Sequence, residues 1–263
     1  MATLAPPQQP QPQSRPGASS DDGFFMTMAI VIAATIVIGF GQFAARGLSS
    51  FGAPAIVHAH AIIFMGWVVI YLAQNRFATR GPIALHRRLG WLACGWLVLM
   101  LVVGTAVTAR MVRLGTVPIV FQPLHFLVFD PLSLLTAMAL VGAAIALRRR
   151  TDWHRRLQLC AMAVLTGPAF GRLLPMPLLI PWAYHAAFAA TLIWPVIGMV
   201  RDWRTEGRVH PAYGWGLGGM MAMEVVIDAV AFGPLGLALY QAVTAGSPGA
   251  AVPPLAFPPF PAG

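Results

Sequence analysis

Residues 58–72 read HAHAIIFMGWVVIYL, so two histidines lead directly into an apolar run. A helix needs about 20 apolar residues to cross the hydrocarbon of a bilayer, and this run belongs to a segment of that length. An ionisable side chain inside such a segment is costly and by default indicates a functional site. The stretch therefore predicts a membrane-spanning helix with histidines near one end.

The composition of the whole chain is that of an integral membrane protein. Its 263 residues are 58% hydrophobic and only 10% charged, with a mean hydropathy of +0.72. The formal net charge of +9 comes from 17 basic residues, all of them arginine. In a membrane protein such charge sets orientation and attracts anionic lipid, so we expect membrane lipids and not nucleic acid as partners. The two cysteines, Cys94 and Cys160, lie inside apolar segments, which excludes a disulfide framework.

Clusters of Arg, Gly and Pro divide the apolar segments and predict an all-α, polytopic bundle of about seven transmembrane helices. This helical domain covers residues 23–245. Residues 1–22 are predicted to be a disordered cytoplasmic tail, and residues 246–263 a Pro-rich periplasmic tail that cannot form a helix. The predicted crossings are 24–45, 54–74, 89–109, 124–147, 157–174, 181–200 and 213–241.

The arginines predict the orientation of this bundle. Thirteen of them lie in the N-terminal tail and in the loops after the second, fourth and sixth segments, against four on the other side. The positive-inside rule then places the N-terminus in the cytoplasm and the C-terminus in the periplasm of a bacterial inner membrane.

Seven histidines separate into two layers in this topology. Three of them lie at the cytoplasmic ends of helices, namely His86, His154 and His210. The first two each open a His-Arg-Arg-Leu sequence, at residues 86–89 and 154–157. Contact with lipid phosphate is the expected role there, and a second cofactor is the alternative. The outer layer consists of His58, His60, His125 and His185.

The outer layer is the predicted site, because neutral imidazole is the commonest protein ligand for metals and haem. His58 and His60 point about 200° apart on a helix, so one of them is expected to face the bundle. Repeated steps of three or four residues from His60 reach Phe64, Trp67, Tyr71 and Gln74, several of which have polar tips, whereas the same steps from His58 reach only apolar residues. We therefore predict that His60 faces the site.

Other residues extend this site. Glu224 and Asp228 are spaced i to i+4, so they share one face of the last helix, where proton relay, metal ligation and pairing with a buried arginine are all open. Arg172 is the candidate partner of these acids or of haem propionates. Asp130 precedes Pro131, which is typical of a helix start and favours capping.

Two pairs of glycines have the four-residue spacing that lets helices approach closely. We expect Gly167 with Gly171, and Gly214 with Gly218, to lie at helix contacts.

His60 followed by Gly66-Trp67 resembles the catalytic subunits of haem-copper oxidases and the small membrane proteins similar to them. In those proteins a histidine of this helix ligates haem, so the resemblance bears on His58 or His60. The two histidine layers also resemble b-type transmembrane cytochromes, and the chain as a whole resembles uncharacterised bacterial heptahelical proteins with His-Arg-Arg-Leu loops.

A second resemblance points to a different chemistry. Seven helices with outer histidines and an intramembrane acid are similar to the ceramidase and adiponectin-receptor type of zinc hydrolase, in which metal-bound water attacks a lipid amide. Those proteins carry two histidines four apart on the last helix, where this chain has Glu224 and Asp228.

The sequence thus predicts a membrane redox protein that binds b-type haem through His60, His125 and His185, with Arg172 near the propionates, and takes part in electron transfer. A metal-dependent enzyme is the alternative, with zinc, iron or copper held by histidines and carboxylates. Its candidate ligands are His58, His60, His125, His185, Glu224 and Asp228. A third possibility is an accessory subunit of a larger membrane complex. Participation of Glu224 and Asp228 beside the histidines would favour the metal enzyme over a haem carrier.

Overall fold

The computed structural model describes residues 20–49 and 51–259, and within these ranges every regular element is a helix. Ten α-helices follow one another: α1 Ser20–Ala45, α2 Ala55–Arg80, α3 Ile83–Leu114, α4 Pro123–Ala146, α5 Thr151–Val164, α6 Gly167–Leu173, α7 Ala183–Thr191, α8 Ile193–Glu206, α9 Pro211–Ala231 and α10 Pro234–Thr244. Short 3₁₀ turns occur at Met176–Leu179 and Pro248–Ala251.

Six helical segments are long and apolar enough to cross a membrane: Asp21–Ala45, Ala55–Arg80, Ile83–Leu114, Pro123–Ala146, Ala183–Glu206 and Pro211–Ala231. The fifth of these combines α7 and α8. The result supports the predicted transmembrane helical bundle. We call the end with the arginine-bearing loops after α2, α4 and α8 the arginine-rich end, and the opposite one the arginine-poor end.

Three predicted crossings are interrupted, each shortly before a proline. The segment predicted at 181–200 is broken only at Leu192, between α7 and α8. The segment predicted at 157–174 is divided at Leu165 and Thr166 into α5 and α6, just before Pro168. The segment predicted at 213–241 is divided after Ala231, and α10 starts at Pro234. Proline has no backbone N–H to donate to the preceding turn, so a helix tends to start at this residue and not to continue through it.

The chain termini differ in part from the expectation. The predicted disordered tail lies outside the described residues as far as residue 19, but α1 already starts at Ser20. Asp21 and Asp22 stand in the first turn of α1, where negative charge is favourable, and they pair with Arg155 and Arg201. Residues 246–259 contain one 3₁₀ turn at Pro248–Ala251, although the sequence predicted no helix there.

This C-terminal segment packs against the bundle at the arginine-poor end. The Tyr240 hydroxyl donates to the carbonyl oxygens of Gly249 and Val252, at 3.0 and 3.1 Å. The Leu124 N–H donates to the Pro254 carbonyl at 2.8 Å. The segment is therefore held over the start of α4.

Helix α5 is the central element of the bundle, with α4, α8 and α9 packed around it. Its residues from Leu159 to Val164 are all buried. The predicted crossing at 157–174 leaves Arg156 in the preceding loop, but the structure buries it in α5 with 1% exposure. Its Nε and Nη2 donate to the two carboxylate oxygens of Asp202 in α8, at 2.7 and 2.8 Å. This bidentate pair fastens α5 to α8 near the arginine-rich end.

The glycines at helix contacts are not the predicted ones. A Cβ atom built on Gly214 or Gly218 meets no atom within 4 Å. A Cβ on Gly216 would collide with Cys160, and one on Gly198 would collide with the ring and hydroxyl of Tyr213. The spacing rule was wrong here because it does not specify which face of α9 meets its neighbours.

We expect Gly198→Ala to destabilise the protein by about 1–3 kcal/mol, because a buried tyrosine has no room to retreat from the added methyl group. The measurement is the apparent melting temperature in detergent. Gly214→Ala is the matched control: its methyl group meets open space, and alanine favours a helix over glycine by about 1 kcal/mol. Equal melting temperatures for the two variants would contradict the packing described here.

Candidate metal centre

Three helices bring ligand-type side chains together at the arginine-poor end. His125 is the third residue of α4, which starts at Pro123. His185 is the third residue of α7, and Asp228 lies in the last turn of α9. We call these three residues the His-Asp cluster. One nitrogen from each histidine and one carboxylate oxygen lie within 4.8 Å of one another.

The Asp228 carboxylate bridges the two imidazoles. Its Oδ1 lies 3.2 Å from His125 Nε2, and its Oδ2 lies 3.3 Å from His185 Nε2. The two rings are nearly parallel, with centroids 5.9 Å apart. His125 is buried, whereas the His185 and Asp228 side chains are 35% and 41% exposed, so the cluster is reached from one side.

A cavity of about 300 Å³ gives this access. Its aromatic walls are Phe121, Trp182, Phe232 and Phe257. Phe257 belongs to the C-terminal segment, so that segment forms part of the wall. A polar cluster at the base of an apolar cavity is the usual arrangement of a small-molecule site.

A second carboxylate lies one helical turn from the cluster, deeper in the bundle. The Tyr184 hydroxyl donates to Glu224 Oε1, and the other oxygen, Oε2, is buried without a hydrogen-bond partner. The Tyr184 ring also packs edge-on against His125, with centroids 4.6 Å apart. Glu224 and Asp228 therefore share one face of α9, as their spacing predicts, but only Asp228 contacts the histidines.

The structure does not bring His58 or His60 into the cluster. His58 is in the first turn of α2, and its Nε2 lies 3.1 Å from the carbonyl oxygen of Phe51 in the preceding loop. His60 stacks on Phe64 of its own helix, with ring centroids 4.0 Å apart. The reason is the helix order: α2 packs mainly against α1 and α3, whereas the cluster is built by α4, α7 and α9.

Arg172 is not paired with Glu224 or Asp228 among the described residues. Its guanidinium lies over the Phe40 ring at 4.0 Å and donates to the Pro168 carbonyl at 2.8 Å. Asp130 and His60 are close enough to Arg172 to interact with it electrostatically. Arg172 thus belongs to a polar group beside the cluster and not to the cluster itself.

Two residues have roles that the sequence analysis did not assign. Asp130 lies inside α4, not at a helix start, and accepts a hydrogen bond of 2.7 Å from the Thr108 hydroxyl. Tyr184 was not selected at all. The available signal was a tyrosine directly before His185 in an apolar segment, where its hydroxyl requires a partner.

No protein-family model, curated protein or solved structure matches the chain. The resemblances drawn from its histidines consequently stay predictions, and the site has to be interpreted from its own chemistry.

Proposed function

We propose that the chain is a membrane-embedded, metal-dependent enzyme whose ion is held by the His-Asp cluster. The observation that supports this most directly is the convergence of two imidazoles and one carboxylate within 4.8 Å at the base of a cavity. Two histidines with one carboxylate are a recurring ligand set for catalytic zinc and for non-haem iron, in which the remaining coordination positions stay open for water or substrate.

Asp228 joins the two histidines, and this favours a metal ion over haem. The axial imidazoles of a haem stand on opposite sides of a porphyrin, whereas His125 and His185 stack side by side and share one carboxylate. His60, a predicted axial ligand, lies on a helix that does not reach the cluster. Haem-based electron transfer is therefore the alternative that the experiment below tests.

Glu224 is the proposed acid–base residue. It lies one turn from Asp228, and its buried Oε2 has no hydrogen-bond partner among the described residues. Glu224 does not itself line the cavity, so a proton exchanged with the site would pass through Tyr184, which lines the cavity and hydrogen-bonds to Oε1. This hydrogen bond also holds Oε1 in place. A bound zinc ion would activate water for hydrolysis, and iron or copper would support oxygenation. The aromatic walls of the cavity suit a substrate with an apolar body.

The membrane setting is part of the same proposal. Helices α5 and α6 together would form a seventh crossing, with the N-terminus in the cytoplasm of a bacterial inner membrane and the His-Asp cluster near the periplasmic face. The arginine-rich end would contact anionic lipid. A redox partner or a larger membrane complex stays a possible association.

The test is metal analysis and a reduced-minus-oxidised visible spectrum of the detergent-purified protein, for the wild type and for a His125→Gln/His185→Gln variant. We expect about one equivalent of zinc, iron or copper assigned to the cluster, lost in the double variant, and no Soret band. A Soret band lost in the double variant would instead indicate haem. Absence of both metal and haem would favour the accessory-subunit alternative.

A further inference from the structure

The two His-Arg-Arg-Leu sequences occupy matching positions at the arginine-rich end. His86 is the fourth residue of α3, and His154 is the fourth residue of α5. Each histidine follows a short loop from the preceding helix, so the α2–α3 and α4–α5 hairpins are built alike. We call these two residues the loop histidine pair. The proposed enzyme site, at the opposite end of the bundle, does not use them.

Each ring of the pair is oriented by one backbone carbonyl of the preceding helix. His86 Nδ1 lies 3.3 Å from the Gln74 oxygen, and His154 Nδ1 lies 2.8 Å from the Ala144 oxygen. A carbonyl oxygen only accepts, so each Nδ1 carries the hydrogen and donates it. In a neutral imidazole Nε2 then keeps a free lone pair, which is the arrangement that most metal-binding histidines adopt.

The structure brings these two rings together. Their centroids lie 6.2 Å apart with the planes nearly perpendicular, and no hydrogen bond among the described residues uses either Nε2. A role in holding the two helices of each hairpin together explains the Nδ1 hydrogen bonds. It does not explain why the two histidine rings, which come from different hairpins, lie next to each other with neither Nε2 in a hydrogen bond.

Gln74 adds an oxygen to this neighbourhood. Its side-chain Oε1 is buried, and it has no hydrogen-bond partner in the part of the chain that the structure describes. Its amide nitrogen lies near Gly90, where an added Cβ would be 3.4 Å from it. Gly90 is four residues after His86 and therefore on the same face of α3. The side-chain amide of Gln74, which comes from α2, thus lies against the face of α3 that carries His86.

We propose that the loop histidine pair binds a copper ion in its singly charged state, through Nε2 of His86 and of His154, with Gln74 Oε1 as an additional donor. Imidazole is a good ligand for copper and for zinc. The neighbouring Arg87 and Arg155 interact electrostatically with the two rings. The positive charge of these arginines repels any bound cation, but the repulsion energy of a singly charged ion is half that of a divalent ion at the same distance. This is the physical reason for choosing copper.

The test starts from the His125→Gln/His185→Gln variant, so that the His-Asp cluster does not contribute, and uses a purification tag without histidine. The protein is titrated with Cu(I) under ascorbate in competition with a chromogenic Cu(I) chelator. We expect about one equivalent bound, and loss of this equivalent when His86→Asn or His154→Asn is added. Asparagine retains a hydrogen-bond donor near the position of Nδ1 and lacks Nε2. The hydrogen bond to the preceding helix is therefore kept, while the nitrogen that would bind copper is removed.

His210→Asn is the matched control. His210 is also at the arginine-rich end, but it contacts Asp152 at 2.8 Å and not the pair. This variant should retain the bound copper. Failure of the starting variant to bind copper, or copper binding that neither His86→Asn nor His154→Asn reduces, would overturn the proposal. A Soret band lost in His86→Asn would overturn it as well, in favour of haem.

A second measurement does not depend on the folding of the asparagine variants. X-ray absorption at the copper edge of the Cu(I)-loaded starting variant should show nitrogen ligands with the outer-shell scattering of imidazole. A spectrum with oxygen ligands only would contradict ligation by the pair. The same protein titrated with Zn(II) should bind more weakly than with Cu(I), and tighter binding of zinc would contradict the choice of ion.

Discussion

Replacing Asp228 with asparagine is expected to weaken metal binding at the His-Asp cluster by about 100-fold or more. Loss of a residue that merely supports a metal ligand costs about 10–100-fold, and Asp228 is proposed to be a ligand. Asparagine has nearly the same size and can still hydrogen-bond to both imidazoles, but it lacks the negative charge that complements a divalent ion. The measurement is competition with a metallochromic chelator at neutral pH.

Asp130→Asn is the matched control for this variant. Asp130 is another carboxylate of the arginine-poor half, but it contacts Thr108 and not the two histidines. Its amide retains an acceptor for the Thr108 hydroxyl, so the helix packing is kept. We expect unchanged metal affinity. If Asp130→Asn weakened binding as much as Asp228→Asn, the cluster would not be the metal site.

Asp202→Ala is expected to cause the largest loss of stability among the substitutions considered, about 3 kcal/mol. The Arg156 guanidinium and the Asp202 carboxylate are 1% and 0% exposed, so removal of the acid leaves a buried positive charge with reduced compensation. Breaking a buried ion pair from one side costs about 3–5 kcal/mol. The lower end applies because Glu206 Oε1 still contacts Arg156 Nη2 at 3.0 Å. The readout is the apparent melting temperature in detergent.

A rescue experiment separates loss of charge from loss of packing. The double variant Arg156→Met/Asp202→Leu removes both charges and fills the space with apolar atoms, so its stability should return close to that of the wild type. Glu206→Gln is the control at the rim of the pair, because its side chain is 38% exposed; we expect a loss of about 1 kcal/mol or less. A double variant as unstable as Asp202→Ala would contradict this account.

The prediction of a bundle rested on hydropathy and on the clusters of Arg, Gly and Pro between apolar segments. The structure confirms that the regular elements of the described residues are all helices, six of them able to cross a membrane. The breaks within α5–α6 and α9–α10 were missed, although Pro168 and Pro234 are visible in the sequence. The mean hydropathy of a stretch of residues does not register a single proline within it. Proline is also tolerated inside membrane helices, as Pro131 within α4 shows, so its presence alone does not decide where a helix ends.

Within the site, local spacing was informative and longer-range pairing was not. The i to i+4 spacing of Glu224 and Asp228 correctly predicted one shared face, because a helix repeats every 3.6 residues. Nothing local indicated that Asp228 would meet His125 across 103 residues of chain. The same limit explains why His60 was grouped with histidines that its helix does not reach.

The sequence by itself determined that this protein is a helical membrane bundle and which end carries the arginines, because both follow from transfer of each segment between water and lipid. Only the tertiary structure decided which side chains form the His-Asp cluster, which histidines pair at the opposite end, and that Arg156 is buried against Asp202. The physical reason is that every helix in a bilayer is apolar on several faces. Its rotation and neighbours are therefore set by close packing and hydrogen bonds between helices, which hydropathy does not encode.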